Sequence, residues 1–351
     1  MRGLFRVDPV CRMKSPRVSF THLAHLSTAD GLYEHAEFAT PRVGHGYCVD
    51  DVGRGLVVTS RQPDATPEVR ALEQTYLDFV LDALTSSGLA HNRRNMDGNW
   101  VDDARAGDHW GRALWGLGTA AWRSGDDRTR ARALAGARVA AQARSPHPLA
   151  MAHAAVGAAE MLHADPSDAE ALSLMHDARD IIGRPTGDPQ WPWPRPRLGY
   201  ANALIPEALM AIGWGLDDST AVSDGLELLG WLAEMETSGD HLSVTPAGGW
   251  GAGEARPGFD QQPIEVSSLA EAAFRAWELT GHANWAFLLD RCASWFLGGN
   301  DVGLAMCDPE TGGGYDGLLP DCVNLNQGAE STIAAISTFQ LANAAAFAGV
   351  L

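Results

Sequence analysis

No stretch of this chain reaches the roughly 18 consecutive apolar residues that a bilayer-spanning helix requires, so membrane insertion is not expected. The segment Met1–Lys14 carries charge but no apolar core of the kind a secretory signal needs. Cysteine is scarce and unpaired in pattern. Cys11, Cys48, Cys292, Cys307 and Cys322 are an odd set without any C-x-x-C, which reads as free thiols in a reducing, cytoplasmic setting. Basic residues are outnumbered, 26 Lys and Arg against 44 Asp and Glu, for a net charge of −18. Nucleic acid and anionic membranes need the opposite surface, and a neutral substrate fits better. P-loop, H-E-x-x-H and G-x-S-x-G patterns are all missing. The run Gly312-Gly313-Gly314-Tyr315-Asp316-Gly317 has the spacing of a dinucleotide fingerprint but no strand before it and no helix directly after, so it reads as a loop. His22, His25, His35, His45 and His91 cluster early without metal-ligand spacing, and neither metal nor cofactor is expected.

What is present is helical periodicity. Apolar residues recur with a period near 3.6 over 47–60, 68–86, 108–124, 128–143, 147–163, 168–182, 200–215, 219–237, 264–280, 283–297 and 328–349. Alanine-rich stretches such as Ala131–Ala143 and Ala150–Ala159 strengthen that reading. Period-2 alternation is scarce, leaving room only for short strands near Val18–Phe20 and His241–Val244. Helices arrive in pairs joined by short polar links (123–127, 163–168), and about six such hairpins would fill the chain. Unusual residues gather before alternate helices, which favours a closed ring with one functional end over a solenoid. Three long loops, 183–199, 238–263 and 298–327, are rich in Gly, Pro and Trp, a composition that argues for function rather than disorder. One domain is expected, with residues 1–45 as an N-terminal arm contributing to the cleft.

Acids collect at helix entrances. His45-Gly46-Tyr47-Cys48-Val49-Asp50-Asp51 leads into a helix carrying Arg54, and Trp100-Val101-Asp102-Asp103 leads through Asp108 into one carrying Arg112 and Trp115. Gln261-Gln262-Pro263-Ile264-Glu265 and Asn326-Gln327-Gly328-Ala329-Glu330 open two more. A single cap needs only one acid, so four loaded entrances point to a shared polar cleft shaped for a sugar.

These motifs resemble a bacterial helical-toroid family associated with glycosyltransferases and described as putative glycosidases. The resemblance runs through His25-Leu26, Asp30-Gly31-Leu32-Tyr33-Glu34-His35-Ala36, Gly46–Leu56, Asp97–Trp100, Asp108–Trp115 and Asn326–Thr332, nearly the whole chain. It implies an all-α (α/α)6 toroid and a glycosyltransferase as a separate partner, since the chain has no room for a fused one.

Glycosidic hydrolysis needs two carboxyls, one proton-donating and one ionised, roughly 6.5–9.5 Å apart for inversion or 5–5.5 Å for retention. The acid/base pair is expected among Asp50, Asp51, Asp108 and Glu265, with inversion preferred. His25, Glu34, His45, Tyr47, Arg54, Asp103, Arg112, Trp115, Trp193, Trp250, Gln262, Asn326, Gln327 and Glu330 are expected to bind an oligo- or polysaccharide, possible mannose-type glycans included. Trp191 and Trp193, held between prolines, and Trp250 are the expected stacking platforms. Arg54 and Arg112, four residues after Asp50 and Asp108, read locally as intrahelical ion pairs. The other readings are a sugar epimerase or isomerase using histidine, and a non-catalytic carbohydrate-binding partner.

Overall fold

A computed structural model describes residues 16–347. The expectations for Met1–Lys14 and Cys11, and the last two positions of the 328–349 helix, lie outside the described residues. Twelve α-helices account for most of what is described: α1 Thr21–His25, α2 Val49–Ser60, α3 Pro67–Ala83, α4 Asp108–Arg123, α5 Asp127–Ala140, α6 Pro148–Ala164, α7 Ala169–Ile182, α8 Leu204–Gly215, α9 Ser219–Met235, α10 Pro263–Thr280, α11 Ala283–Phe296 and α12 Ala329–Phe347. All eleven helices expected from periodicity are found, and α1 is an addition.

The even-numbered helices form the inner wall. Each packs on the next, α2 on α4, α6, α8, α10 and α12 in turn, and α12 returns to α2, closing an (α/α)6 toroid. The odd-numbered helices α3 to α11 lie outside their partners, while short α1 packs against α12 and α3. Composition follows position. Inner helices are covered on both sides, so α6 is buried continuously from Ala150 to Leu162 and α8 from Leu204 to Gly213, whereas outer helices α5 and α7 bury one stripe.

Connections from inner to outer helices are short, as at 61–66, 124–126, 165–168, 216–218 and 281–282. Those from outer to inner helices are mostly long, as at 84–107, 183–203, 236–262 and 297–328. All inner helices therefore enter the ring from one end, the long-loop end. There, two-residue strands form six small antiparallel ladders that brace the loops. One is the strand at His241–Leu242, paired with Thr237–Ser238. Val18–Phe20 is not a strand; it lies beside α1 as irregular chain.

The α2–α4–α6 side of the wall is packed through glycine. A Cβ at Gly118 of α4 would lie 2.2 Å from the carbonyl oxygen of Gly157 in α6, and one at Gly116 would lie 2.5 Å from that of Gly53 in α2. Both obstacles are backbone, so relief requires the helices to part. Gly118→Ala is expected to cost about 1–3 kcal/mol of stability by denaturant unfolding, as overpacking does; an unchanged midpoint would mean the wall yields freely.

Candidate functional site

Outer helices α3, α5, α7 and α9 begin on Thr66, Asp126, Asp168 and Asp218, whose side chains accept from their first-turn N–H groups. Inner helices α2, α4, α6, α8 and α10 have no such side-chain cap. The acids at the inner entrances are therefore occupied elsewhere, and several meet at the axis.

Arg54 of α2 donates to Glu330 Oε2 at 2.8 Å and to Asp51 Oδ1 at 2.5 Å, and its Nε reaches the Asp50 carbonyl. Arg112 of α4 donates to Asp50 Oδ1 at 2.5 Å and to the Tyr200 hydroxyl at 2.6 Å. Tyr200 in turn donates to Glu330 Oε2 at 2.8 Å. Asn92 closes the network from the 84–107 loop, donating to Asp50 Oδ2 at 2.9 Å. Neither ion pair expected from i,i+4 spacing forms: Arg112 reaches across to Asp50 rather than Asp108, and Arg54 pairs within α2 with Asp51 and across to Glu330, touching Asp50 only at its carbonyl. Both guanidinium groups are buried, while the carboxylates of Asp50 and Glu330 remain 24% and 36% exposed. Those two, with the partly exposed Tyr200, are the groups of the network a ligand can touch.

Environment sorts these acids. Burial alone would raise Asp50 and Glu330, but the arginines outweigh it and hold both below the usual carboxylate range. Asp51 has less relief: burial, with the charges of Glu330 and Glu34 added, pushes it up to about 6 against the pull of Arg54. Cys48 donates to Asp51 at 3.2 Å, and its thiol is pushed well up, chiefly by burial. Glu34, Cys48 and Asp51 bring possible ligand atoms within 4.8 Å of one another. Arg93 and Arg54 already occupy the two carboxylates, however, and the thiol is held protonated.

Beneath this network an axial cavity of about 40 Å³ is lined by Arg54, Trp115, His153, Glu207, Ser267 and Glu330, among others. Trp115 and His153 stack with centroids 5.9 Å apart, and Trp115 Nε1 and His153 Nδ1 have no protein partner. Burial, with Arg112 and Arg54 nearby, holds His153 neutral. Burial also drives Glu207 up to about 8, despite Arg275 at 3.5 Å. Towards the short-loop end a larger cavity of about 360 Å³ shares Glu207 and Glu271. Its arginines are engaged by Glu160, Glu207 and Glu271, and none of the sequence motifs reaches it.

Glu265 is not a wall of the cleft as expected. It is buried, and its carboxyl accepts from the N–H groups of Ala201 and Asn202 and from Asn202 Nδ2. Burial and the charge of Glu236 raise it to about 8, against those three donors. Its role is positional: it clamps the turn that carries Tyr200, where Ala201 is held at φ 47°. Asp108 sits on the rim, in a depression with Arg105, Arg144 and His147, away from the axial network. Asp103 is exposed; its neighbour Asp102 binds the N–H groups of Asn92 and Arg93 instead. Gln262 starts α10 without capping it, while Gln261 is the buried partner of Trp295 and Asp301.

The remaining expected contacts lie away from the axial network. His25 is exposed, whereas His22 is buried and bonds the Gln327 carbonyl at 2.8 Å. Tyr47 is buried, stacked on Tyr33 with its hydroxyl on Thr28. Glu34 pairs with Arg93, and His45 lies on the surface edge-to-face with His35. Trp193 is 1% exposed and stacks on Trp231 of α9, so it is core rather than platform. Trp250 is also buried, with its Nε1 on the Glu254 carbonyl. Asn326 and Gln327 bind the N-terminal arm at Phe38. Of the expected residues, Asp50, Asp51, Arg54, Arg112, Trp115 and Glu330 come together at the axis. Tyr200, Asn92, His153 and Glu207 are not among the expected residues; Glu207 and His153 had a signal, as lone titratable residues inside the apolar runs Leu204–Gly215 and Ala150–Ala159.

The raised carboxyls have a stability consequence. Glu207 and Glu265 at about 8, and Glu236 at about 7, bind protons in the folded state that the unfolded chain has released. Their contribution is complete at low pH and is lost as pH rises through the folded values. Asp50 and Glu330 act oppositely, but only below the ordinary carboxylate range, and neutral His153 penalises folding only below its unfolded value of 6.5. Melting temperature should therefore fall between pH 7 and 8.5, less steeply in Glu207→Gln; a flat or rising profile in wild type would contradict these environments.

No family model matches the chain, and no curated protein matches it. Solved structures do. A cellobiose 2-epimerase from Bacillus thermoamylovorans superposes with a TM-score of 0.68 at 10% identity, covering 92% of this chain and 96% of its own. A sugar epimerase from a ruminal bacterium gives 0.67 at 12% identity over 92% and 95%. An α-mannanase of Bacteroides thetaiotaomicron gives 0.63 at 10% identity over 94% and 95%. The toroid is thus shared along almost the full length of each.

Proposed function

We propose that this chain is a carbohydrate-processing enzyme that hydrolyses a glycosidic bond at the long-loop mouth of the ring. The observation that carries the reading is a pair of carboxyls on one axial cavity whose environments drive them apart: Glu330 held ionised by Arg54, and Glu207 raised to about 8. Opposed environments of this kind separate a base from a proton donor. Glu330 activates water or attacks, and Glu207 protonates the leaving oxygen. A cavity of about 40 Å³ holds water but not a sugar ring. Substrate entry therefore requires Tyr200 to release Arg112 and Glu330, which widens the mouth. Asp50 then faces the sugar hydroxyls, with Arg112 fixing its charge. The toroid neighbours named as acting on saccharides support this substrate class.

Epimerisation is the second reading, favoured by His153, a neutral imidazole with a free nitrogen on the same cavity. Product analysis on defined oligosaccharides separates the two: hydrolysis creates new reducing ends, and epimerisation changes a sugar without cleaving a bond. Under the hydrolase reading, Glu330→Gln should lower kcat about 10²–10⁴-fold with the fold retained, and Glu207→Gln should remove the alkaline limb of the pH–rate profile. Epimer formation that disappears in His153→Ala but survives in Glu207→Gln would replace hydrolysis with the second reading.

A further inference from the structure

One surface residue is held in an unfavourable way on both counts that matter for an apolar side chain. Phe38 occupies the tip of the hairpin formed by Ala36–Glu37 and Thr40–Pro41, with φ at 51° and a side chain left 61% exposed. A bulky residue in the left-handed region is strained, and glycine or asparagine is the usual occupant. Such strain persists only where surrounding contacts over-determine it, and it collects at functional positions.

The clamp here is explicit. The Phe38 N–H donates to Asn326 Oδ1 at 2.9 Å, and its carbonyl accepts from the Gln327 N–H at 2.9 Å. Gln327 is fixed in turn by His22 on its carbonyl, and Gly313 leaves the space its side chain fills. At the hairpin's base, the Glu34 carbonyl accepts from the N–H of Ala329, one residue before Glu330. The aromatic ring is thereby tied to the same helix entrance that carries the exposed carboxylate. His35 and His45, with ring centroids 5.0 Å apart, add exposed hydrogen-bonding groups on the same arm.

We propose that Phe38 is a stacking platform for a sugar unit lying beyond the reacting one, and hence that the substrate is an oligosaccharide running out of the ring mouth across this hairpin. A pyranose ring offers an apolar C–H face to an aromatic and hydroxyls to polar groups, and this arm carries an exposed phenyl and two exposed imidazoles. An edge already strained and clamped loses little further freedom on binding. This inference rests on the carbohydrate reading above and adds chain length as the determinant of specificity.

The test is titration calorimetry of the full chain with a series of β- and α-linked oligosaccharides from di- to hexasaccharide, comparing wild type with Phe38→Gly and Phe38→Tyr. Phe38→Gly should keep or raise the melting temperature, because glycine accepts the left-handed backbone. It should bind the longer oligosaccharides about tenfold more weakly while disaccharide affinity is little changed, and Phe38→Tyr should retain wild-type affinity. Equal length dependence in wild type and Phe38→Gly would overturn the platform and leave the carbohydrate reading standing. A lowered melting temperature in Phe38→Gly with equal loss at every length would assign Phe38 to structure. Absence of binding by wild type at any length would overturn both proposals.

Discussion

Two guanidinium groups buried at the centre of a helical ring are the constraint around which the long-loop end is organised. Arg54 and Arg112 stand on adjacent inner helices, and neither can be left without counter-charge, because removing one partner of a buried pair typically costs about 3–5 kcal/mol. Their partners come from α2 and α12, and Tyr200 joins them from the 183–203 loop. Neutralising the arginines thus ties the first inner helix to the last, which is where the ring closes. The same contacts leave Asp50 and Glu330 ionised and partly exposed at the mouth. Closure of the fold and presentation of two carboxylates are one set of bonds.

Around that centre, the buried acids divide between chemistry and positioning. Glu265 spends its carboxyl on three N–H donors of the turn behind Tyr200, and Asp102 does the same for the segment carrying Asn92. Both act on the axial network only through the loop residues they hold. Glu207 has no such duty to backbone and lines the cavity that also reaches Glu330. The contrast between the side-chain-capped outer helices α3, α5, α7 and α9 and the uncapped inner ones follows the same division, since the inner entrances open onto folded loops.

Much of this was legible in the chain. Periodicity near 3.6 located eleven helices, and unusual residues gathered before alternate helices implied a closed ring with one functional end. Loaded helix entrances led to Asp50, Asp51, Arg54, Arg112, Trp115 and Glu330. The partners were not legible, because spacing within a helix describes neighbours on that helix alone: Arg112 at i+4 from Asp108 turns inward to Asp50, and Asp108 stays on the rim. Tryptophan between prolines reads as a platform from sequence, and only the position of Trp231 shows that Trp193 is buried against it. Adjacent residues were exchanged at Asp102/Asp103 and Gln261/Gln262, since outside a regular helix no period tells which neighbour faces inward, and His22 rather than His25 is the buried one on short α1.

The central claim is that saccharide chemistry takes place where Arg54 and Arg112 brace Asp50 and Glu330. A crystal structure of Glu330→Gln soaked with an oligosaccharide that the wild-type protein processes tests this most directly. The account predicts a sugar ring at the long-loop mouth, with Tyr200 displaced from Arg112 and hydroxyls in contact with Asp50. Ordered sugar at the opposite end instead, in the cavity between Arg61 and Arg275, would contradict it.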